Sequence, residues 1–211
     1  MASGKRDFDL EAATWDEEPR RVQLAKDLVR AIAEAVPLTP SMDILDFGCG
    51  TGLVTLQLSE RVGRVTGVDG SQAMLDALSS KIRSCQACNV TTRRIDLDRG
   101  DVLDGSYDVV ASTMTPHHVW HIGPLLEQFA RILKPGGCVC IADLDLENGE
   151  FHGNNEGVFH FGFERSGIGQ QLVKAGFVDV NCKTAAEVVK PGADGQMRAF
   201  PVFLATGRSA P

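Results

Sequence analysis

Short apolar runs and amphipathic stripes alternate along this chain. Val22, Leu24, Ala25, Leu28, Val29, Ile32 and Ala33 recur at three- and four-residue intervals, which predicts a helix ending near Val36-Pro37. Asp43–Phe47 reads as a buried strand, and Leu53, Val54, Leu56 and Leu58 then resume helical spacing. Arg64–Asp69 predicts a second strand, followed by a helix capped at Ser71 with Met74, Leu75 and Leu78 on its buried face. Val90–Ile95 and Tyr107–Ser112 predict two more strands, and the stretch from about Pro124 to Leu133 a helix. Lys134-Pro135-Gly136-Gly137 reads as a turn before the strand Cys138–Ala142. An irregular loop is expected over Asp143–Phe163, then a helix from roughly Glu164 to Ala175. Strands at Phe177–Val189 and Met197–Thr206, joined by a turn at Lys190–Gly195, close the chain. Strands alternating with helices imply an α/β fold with a doubly wound, mostly parallel sheet.

Between the first strand and its helix stands Gly48-Cys49-Gly50-Thr51-Gly52. Glycines here let a ligand approach the backbone at the carboxyl end of a strand. A dinucleotide fingerprint needs its third glycine where this chain has Leu53. The spacing is G-x-G-x-G instead, preceded by Asp46. ILDFGCGTG resembles the first motif of class I S-adenosylmethionine-dependent methyltransferases, and VTGVDGSQAML, YDVVAS and RILKPGGCVCIADL resemble later ones.

That resemblance implies a Rossmann-like, seven-stranded sheet with an antiparallel last strand and helices on both faces. It implies S-adenosylmethionine as cofactor and S-adenosylhomocysteine as product. Asp46 would orient the cofactor's amine, with Gly48, Cys49, Gly50 and Gly52 as the floor beneath it. Asp69, about 20 positions after Gly48 and followed by Gly70, would clamp the ribose hydroxyls. Asp96 with Leu97 would meet the adenine, Asp98 and Asp101 being close competitors, and Ser112 would line the exit of the fourth strand.

Charge and composition narrow the partners. The 211 residues carry a formal net charge of −7, with 43% hydrophobic and 23% charged residues. An acidic chain disfavours nucleic acid as a partner. No apolar segment approaches the ~20 residues of a membrane span, and the N-terminus lacks a signal core, so a cytoplasmic protein off the membrane is expected. Residues 1–40 are read as a helical cap segment and 41–211 as the methyltransferase domain, a single domain overall. The six cysteines suggest no disulfide framework, and Cys138 and Cys140 are expected to pack as small hydrophobes.

All five histidines fall between His117 and His160, in segments leaving the fourth and fifth strands. Those exits share a sheet edge with the glycine turn. His117 or His118 is therefore the candidate base, while Trp15, His121, His152, Phe159 and His160 are candidates for lining an acceptor pocket. The Asn/Asp-Pro-Pro-aromatic motif of amino-methylating nucleic-acid enzymes is missing after Ser112. The expected activity is methylation of a small molecule at an undetermined atom, by a monomer or homodimer, with no metal. Two alternatives stand beside it: a metal enzyme or sensor using the histidines with Asp143 or Asp145, and a non-catalytic S-adenosylmethionine-binding protein.

Overall fold

The computed structural model describes residues 6–192 and 195–210. Ala193 and Asp194, at the centre of the turn expected over Lys190–Gly195, lie outside the described residues, as do residues 1–5 of the cap segment. Strands β1 (Asp43–Phe47), β2 (Arg64–Asp69), β3 (Val90–Arg94), β4 (Tyr107–Thr113), β5 (Leu133–Leu144), β6 (Val178–Pro191) and β7 (Met197–Arg208) form one sheet. Its order is β3-β2-β1-β4-β5-β7-β6. Strands β1 to β5 pair in parallel, and β7 runs antiparallel to both of its neighbours. The seven-stranded, doubly wound fold with a reversed last strand is thus present.

Helices α1 (Phe8–Glu11), α2 (Pro19–Ala35), α3 (Thr55–Ser59), α4 (Gln72–Cys85), α5 (Ile122–Ile132) and α6 (Arg165–Lys174) connect and cover the strands. Period-two alternation divides their duties. Ile44, Val109, Cys138 and Cys140 point to the side where Leu28 and Ile32 of α2 and Leu58 of α3 pack. Leu45, Phe47, Val110, Val139 and Ile141 meet Leu125, Leu126 and Phe129 of α5 and Leu172 of α6 on the other. Ser71 caps α4 by accepting a hydrogen bond from the Met74 amide at 3.2 Å. All six cysteines are free thiols. Among the described residues, no helix is long and apolar enough to cross a membrane.

Two departures from expectation have simple causes. Lys134–Gly137 is not a turn outside the sheet but a bulge within β5: pairing jumps from Tyr107–Leu133 to Val109–Cys138. Gly136 absorbs the bend at φ 73°. The loop after β5 also returns to it, because the Phe163 amide bonds Leu144 O at 2.9 Å and Asp145 bridges to Phe163. Its hydrophobic anchor is Phe163, which is buried, whereas Phe161 is exposed.

The chain reverses its direction of winding between β1 and β4, which pair with one another. In open α/β sheets the crevice at such a switch point holds ligands. Packing beneath it is dense: Phe129 is fully buried and meets the Phe47 ring edge-on at 5.4 Å. Phe129→Ala should therefore destabilise the fold by about 3–5 kcal/mol, read as a lowered urea midpoint with an unchanged slope.

Candidate active site

The turn after β1 is anchored before it reaches any ligand. The Gly48 and Cys49 amides donate to Val68 O at 2.8 and 3.0 Å, and the Gly50 amide donates to Asp69 Oδ2 at 2.8 Å. The three glycines serve different ends, although all have positive φ. A Cβ at Gly48 would strike the Thr115 side chain at 2.1 Å, and one at Gly52 would strike Leu78 Cδ1 at 2.2 Å. At Gly50 the nearest atom would be Met74 Sδ at 4.0 Å, so this glycine alone borders open space.

That space is a cavity of about 710 Å³, large enough for a nucleoside cofactor and a second molecule. Gly48, Cys49 and Gly50 line it, with Asp69, Gly70, Asp96 and Leu97 along one flank. Asp69 Oδ1 accepts from the Ser71 amide at 2.8 Å, so each carboxylate oxygen already holds one amide and faces the cleft with its remaining lone pairs. Burial pushes the Asp69 carboxyl above its ordinary range. Asp96 caps the turn Leu97–Arg99 by accepting from the Asp98 amide at 3.2 Å and lies 3.5 Å from Arg99. Asp98 also lines the cavity, whereas Asp101 is spent on the Asp96 amide at 2.9 Å.

Asp46 lies behind the turn and is fully buried. Its Oδ2 accepts from Thr55 Oγ1 at 2.6 Å, while Oδ1 accepts no hydrogen bond from the protein. Desolvation pushes its carboxyl up to about 6. A buried acceptor with an open position is suited to an ammonium group reached through water.

The opposite end of the cavity is built by the exit of β4. Pro116–His118 form a short turn that sets two imidazoles side by side, their rings 4.1 Å apart. His117 is buried; its Nδ1 lies 2.7 Å from Asp143 Oδ1, and its amide donates to Asp143 Oδ2 at 3.0 Å. His118 Nδ1 donates to Gly157 O at 2.7 Å. His152, on the loop that returns to β5, puts Nε2 3.1 Å from His117 Nε2 and Nδ1 3.2 Å from Arg6 Nη1. Desolvation, then the neighbouring His117, holds His118 down to about 3 and His152 to about 2.

Ahead of α2, the chain folds across the opening. Thr51 Oγ1 donates to Asp16 at 2.6 Å, and Lys81 pairs with the same carboxyl group. The Arg21 guanidinium lies 3.6 Å from the Trp15 ring centroid, and the Phe8 ring is 5.0 Å from His118. Trp15 lines the cavity, as do Phe8, Arg21 and Phe151.

Residues 44–137 match the family described as "Methyltransferase domain". The chain carries a class I S-adenosylmethionine-dependent methyltransferase domain. It is 35% identical over 120 residues to an uncharacterised methyltransferase of Schizosaccharomyces pombe, covering 54% of this chain and 42% of that one. Against nocamycin O-methyltransferase of Saccharothrix syringae it is 29% identical over 133 residues, covering 62% and 47%. The chain therefore spans less than half the length of either relative. In fold it resembles a chain of the Haloferax volcanii complex between the Trm112 methyltransferase activator and a methyltransferase, with TM-score 0.77 and 21% identity over 98% of this chain and 99% of that one. It also resembles Haemonchus contortus phosphoethanolamine N-methyltransferase 2 in complex with S-adenosyl-L-methionine, with TM-score 0.71 and 18% identity over 88% and 53%.

Of the residues singled out in the sequence, the cavity brings together Trp15, Gly48, Cys49, Gly50, Asp69, Gly70, Asp96, Leu97, His117, His118 and His152. Asp46 stands behind this wall, and Gly52 packs on α4. Ser112 is buried within β4 between Phe47 and Ile141, and Thr113, Met114 and Thr115 reach the cavity instead. His121 is exposed at the start of α5. Phe159 packs on Trp120 with ring centroids 4.8 Å apart, and His160 Nε2 donates to Val119 O at 3.0 Å. These three sit outside the lining.

The raised Asp46 carboxyl fixes the sign of a pH effect. Between its ordinary value near 4 and about 6, the folded chain holds a proton that the unfolded chain has released. Ligand-free stability should therefore fall as pH rises through that window, by about 3 kcal/mol attributable to this group. Urea titrations at pH 4 to 7 should show the decline in the native chain and a flatter profile in Asp46→Asn.

Proposed function

We propose that the protein transfers the methyl group of S-adenosylmethionine to a small-molecule acceptor held at the histidine end of the cavity, releasing S-adenosylhomocysteine. The observation that carries this reading is that one cavity runs from Gly50 to His117 and His118. The open side of Gly50 and the open acceptor on Asp46 both suit the cofactor. Asp46 would hold its amine through water, Asp69 its ribose hydroxyls and Asp96 its adenine. When bound, the cofactor supplies a methyl already activated by a sulfonium. The chain's task is then alignment and exclusion of water.

The cap segment fits that task, because its Phe8 and Trp15 line the cavity together with Phe151. For an acceptor that must lose a proton, His117 is the base. Asp143 accepts a hydrogen bond from Nδ1–H, which keeps the proton on Nδ1 and leaves the Nε2 lone pair to work. In the ligand-free arrangement His152 covers that lone pair, so an incoming hydroxyl, thiol or amine replaces one hydrogen bond with another. Relatives named for nocamycin and for phosphoethanolamine support an acceptor of this size, and the net charge of −7 argues against nucleic acid.

Methyl-labelled S-adenosylmethionine incubated with the protein and a metabolite extract should transfer label to a small molecule. His117→Ala should slow that transfer by on the order of 10²–10⁴ while cofactor affinity, measured by calorimetry, stays unchanged. Transfer at the native rate in that variant would overturn the assignment of the base, and absence of cofactor binding in the native chain would overturn the whole reading.

A further inference from the structure

Three imidazoles converge at one end of the cavity, and a base needs only one of them. His117, His118 and His152 each offer one ring nitrogen, and these atoms lie within 4.8 Å of one another. In a tetrahedral zinc site with Zn–N of about 2.0–2.1 Å, neighbouring ligand nitrogens stand about 3.3 Å apart. The His117–His152 pair is already at 3.1 Å, and His152 rides on a loop rather than on a strand. Little movement separates this arrangement from coordination.

The partners on the far side of the rings are those of a metal centre. Metal-bound histidines typically give their other N–H to a carboxylate or a backbone carbonyl, which fixes the tautomer that points a lone pair at the ion. His117 has Asp143 in that place at 2.7 Å, and His118 has Gly157 O at 2.7 Å. We propose that His117, His118 and His152 form a three-histidine site for a divalent transition metal of the zinc class, with its fourth position open to the cavity. Three protein ligands and one open position are the pattern of catalytic rather than structural zinc. A ligand hydroxyl or thiol seated on the fourth position loses its proton to solvent at neutral pH under the ion's charge; His117 serves as a ligand while the ion is bound and as the base assigned above in the ion-free chain. The site stands on the ring geometry alone and does not depend on methyl transfer.

Arg6 gives the proposal a signature of its own. A guanidinium only donates, so its 3.2 Å contact with His152 Nδ1 places the His152 proton on Nε2, facing His117. Metal entry requires that Nε2 proton to leave to solvent, Nδ1 to gain one, and Arg6 to withdraw from Nδ1. Arg6 keeps its pairing with Glu11 when it does so. The guanidinium therefore opposes the ion.

The test is titration of the chelator-treated chain with Co(II) and Zn(II). The native chain should bind one Co(II) with tetrahedral visible bands and no thiolate-to-metal band in the near ultraviolet. His152→Ala should lose about 100-fold or more in Zn(II) affinity and Asp143→Asn about 10–100-fold, with Arg6→Ala binding more tightly than the native chain. Calorimetry with S-adenosylmethionine on the same samples separates a failure of this site from a failure of the proposed methyl transfer. Octahedral or absent Co(II) bands in the native chain, a thiolate band placing the ion at cysteine, or tight binding that survives in His152→Ala would overturn it. Unchanged or weaker binding in Arg6→Ala would overturn it too, and this variant leaves all three imidazoles in place.

Discussion

The amides of Gly48, Cys49 and Gly50 are all spent on the end of β2, at 2.8, 3.0 and 2.8 Å. Everything at the cofactor end of the cavity depends on that anchoring. A phosphate cradle needs such amides free and pointing at the anion. Here they are satisfied inside the protein, so the turn meets its ligand through missing side chains rather than through donors. In the proposed reading, polar recognition falls to the acids Asp46 and Asp69. Because Asp69 also accepts the Gly50 and Ser71 amides, one carboxylate fixes the turn after β1 to the start of α4. The carboxylate proposed to clamp a ribose is thus fixed in place by two backbone amides, an arrangement that would lower the ordering cost of binding.

That scheme tolerates an expense the rest of the fold offsets. Asp46 is buried with one oxygen unpartnered, and burial of a carboxylate is unfavourable unless it is paired. Two apolar layers, one on each sheet face, supply the stability against which that cost is set. The strain belongs at the switch point, where the sheet leaves a crevice that no helix fills.

Much of this was readable in the sequence because it is local. Short apolar or alternating runs marked the strands, the glycine turn and Asp69 lay at a recognisable spacing, and Ser71 announced the start of α4. The bulge at Lys134–Gly137 was not legible, since a Pro-Gly-Gly stretch reads the same whether it leaves a sheet or kinks within one. The histidines show the limit most clearly. Sequence order put all five at one sheet edge, but His121 ends exposed at the head of α5 and His160 turns back to Val119 O. Nothing local distinguishes them from His117, His118 and His152. The pairing of His117 with Asp143 and the approach of Arg6 to His152 join distant parts of the chain, and only the register of β4 on β5 and the path of the cap segment bring them together.

The chemistry at the histidine end turns on one lone pair. His117 Nε2 is the only ring nitrogen of the three backed by a carboxylate, so it is the strongest donor to a proton or to an ion. His118 and His152, whose protonation is suppressed by desolvation and then by the neighbouring His117, are poor bases yet remain neutral ligands. The same burial that disqualifies them from accepting a proton suits them to a metal, which needs deprotonated nitrogens. A single base would need neither His118 nor His152 turned towards it. Their convergence on His117, with Arg6 held against the outermost ring, is what a one-base mechanism leaves unexplained and a shared ion accounts for.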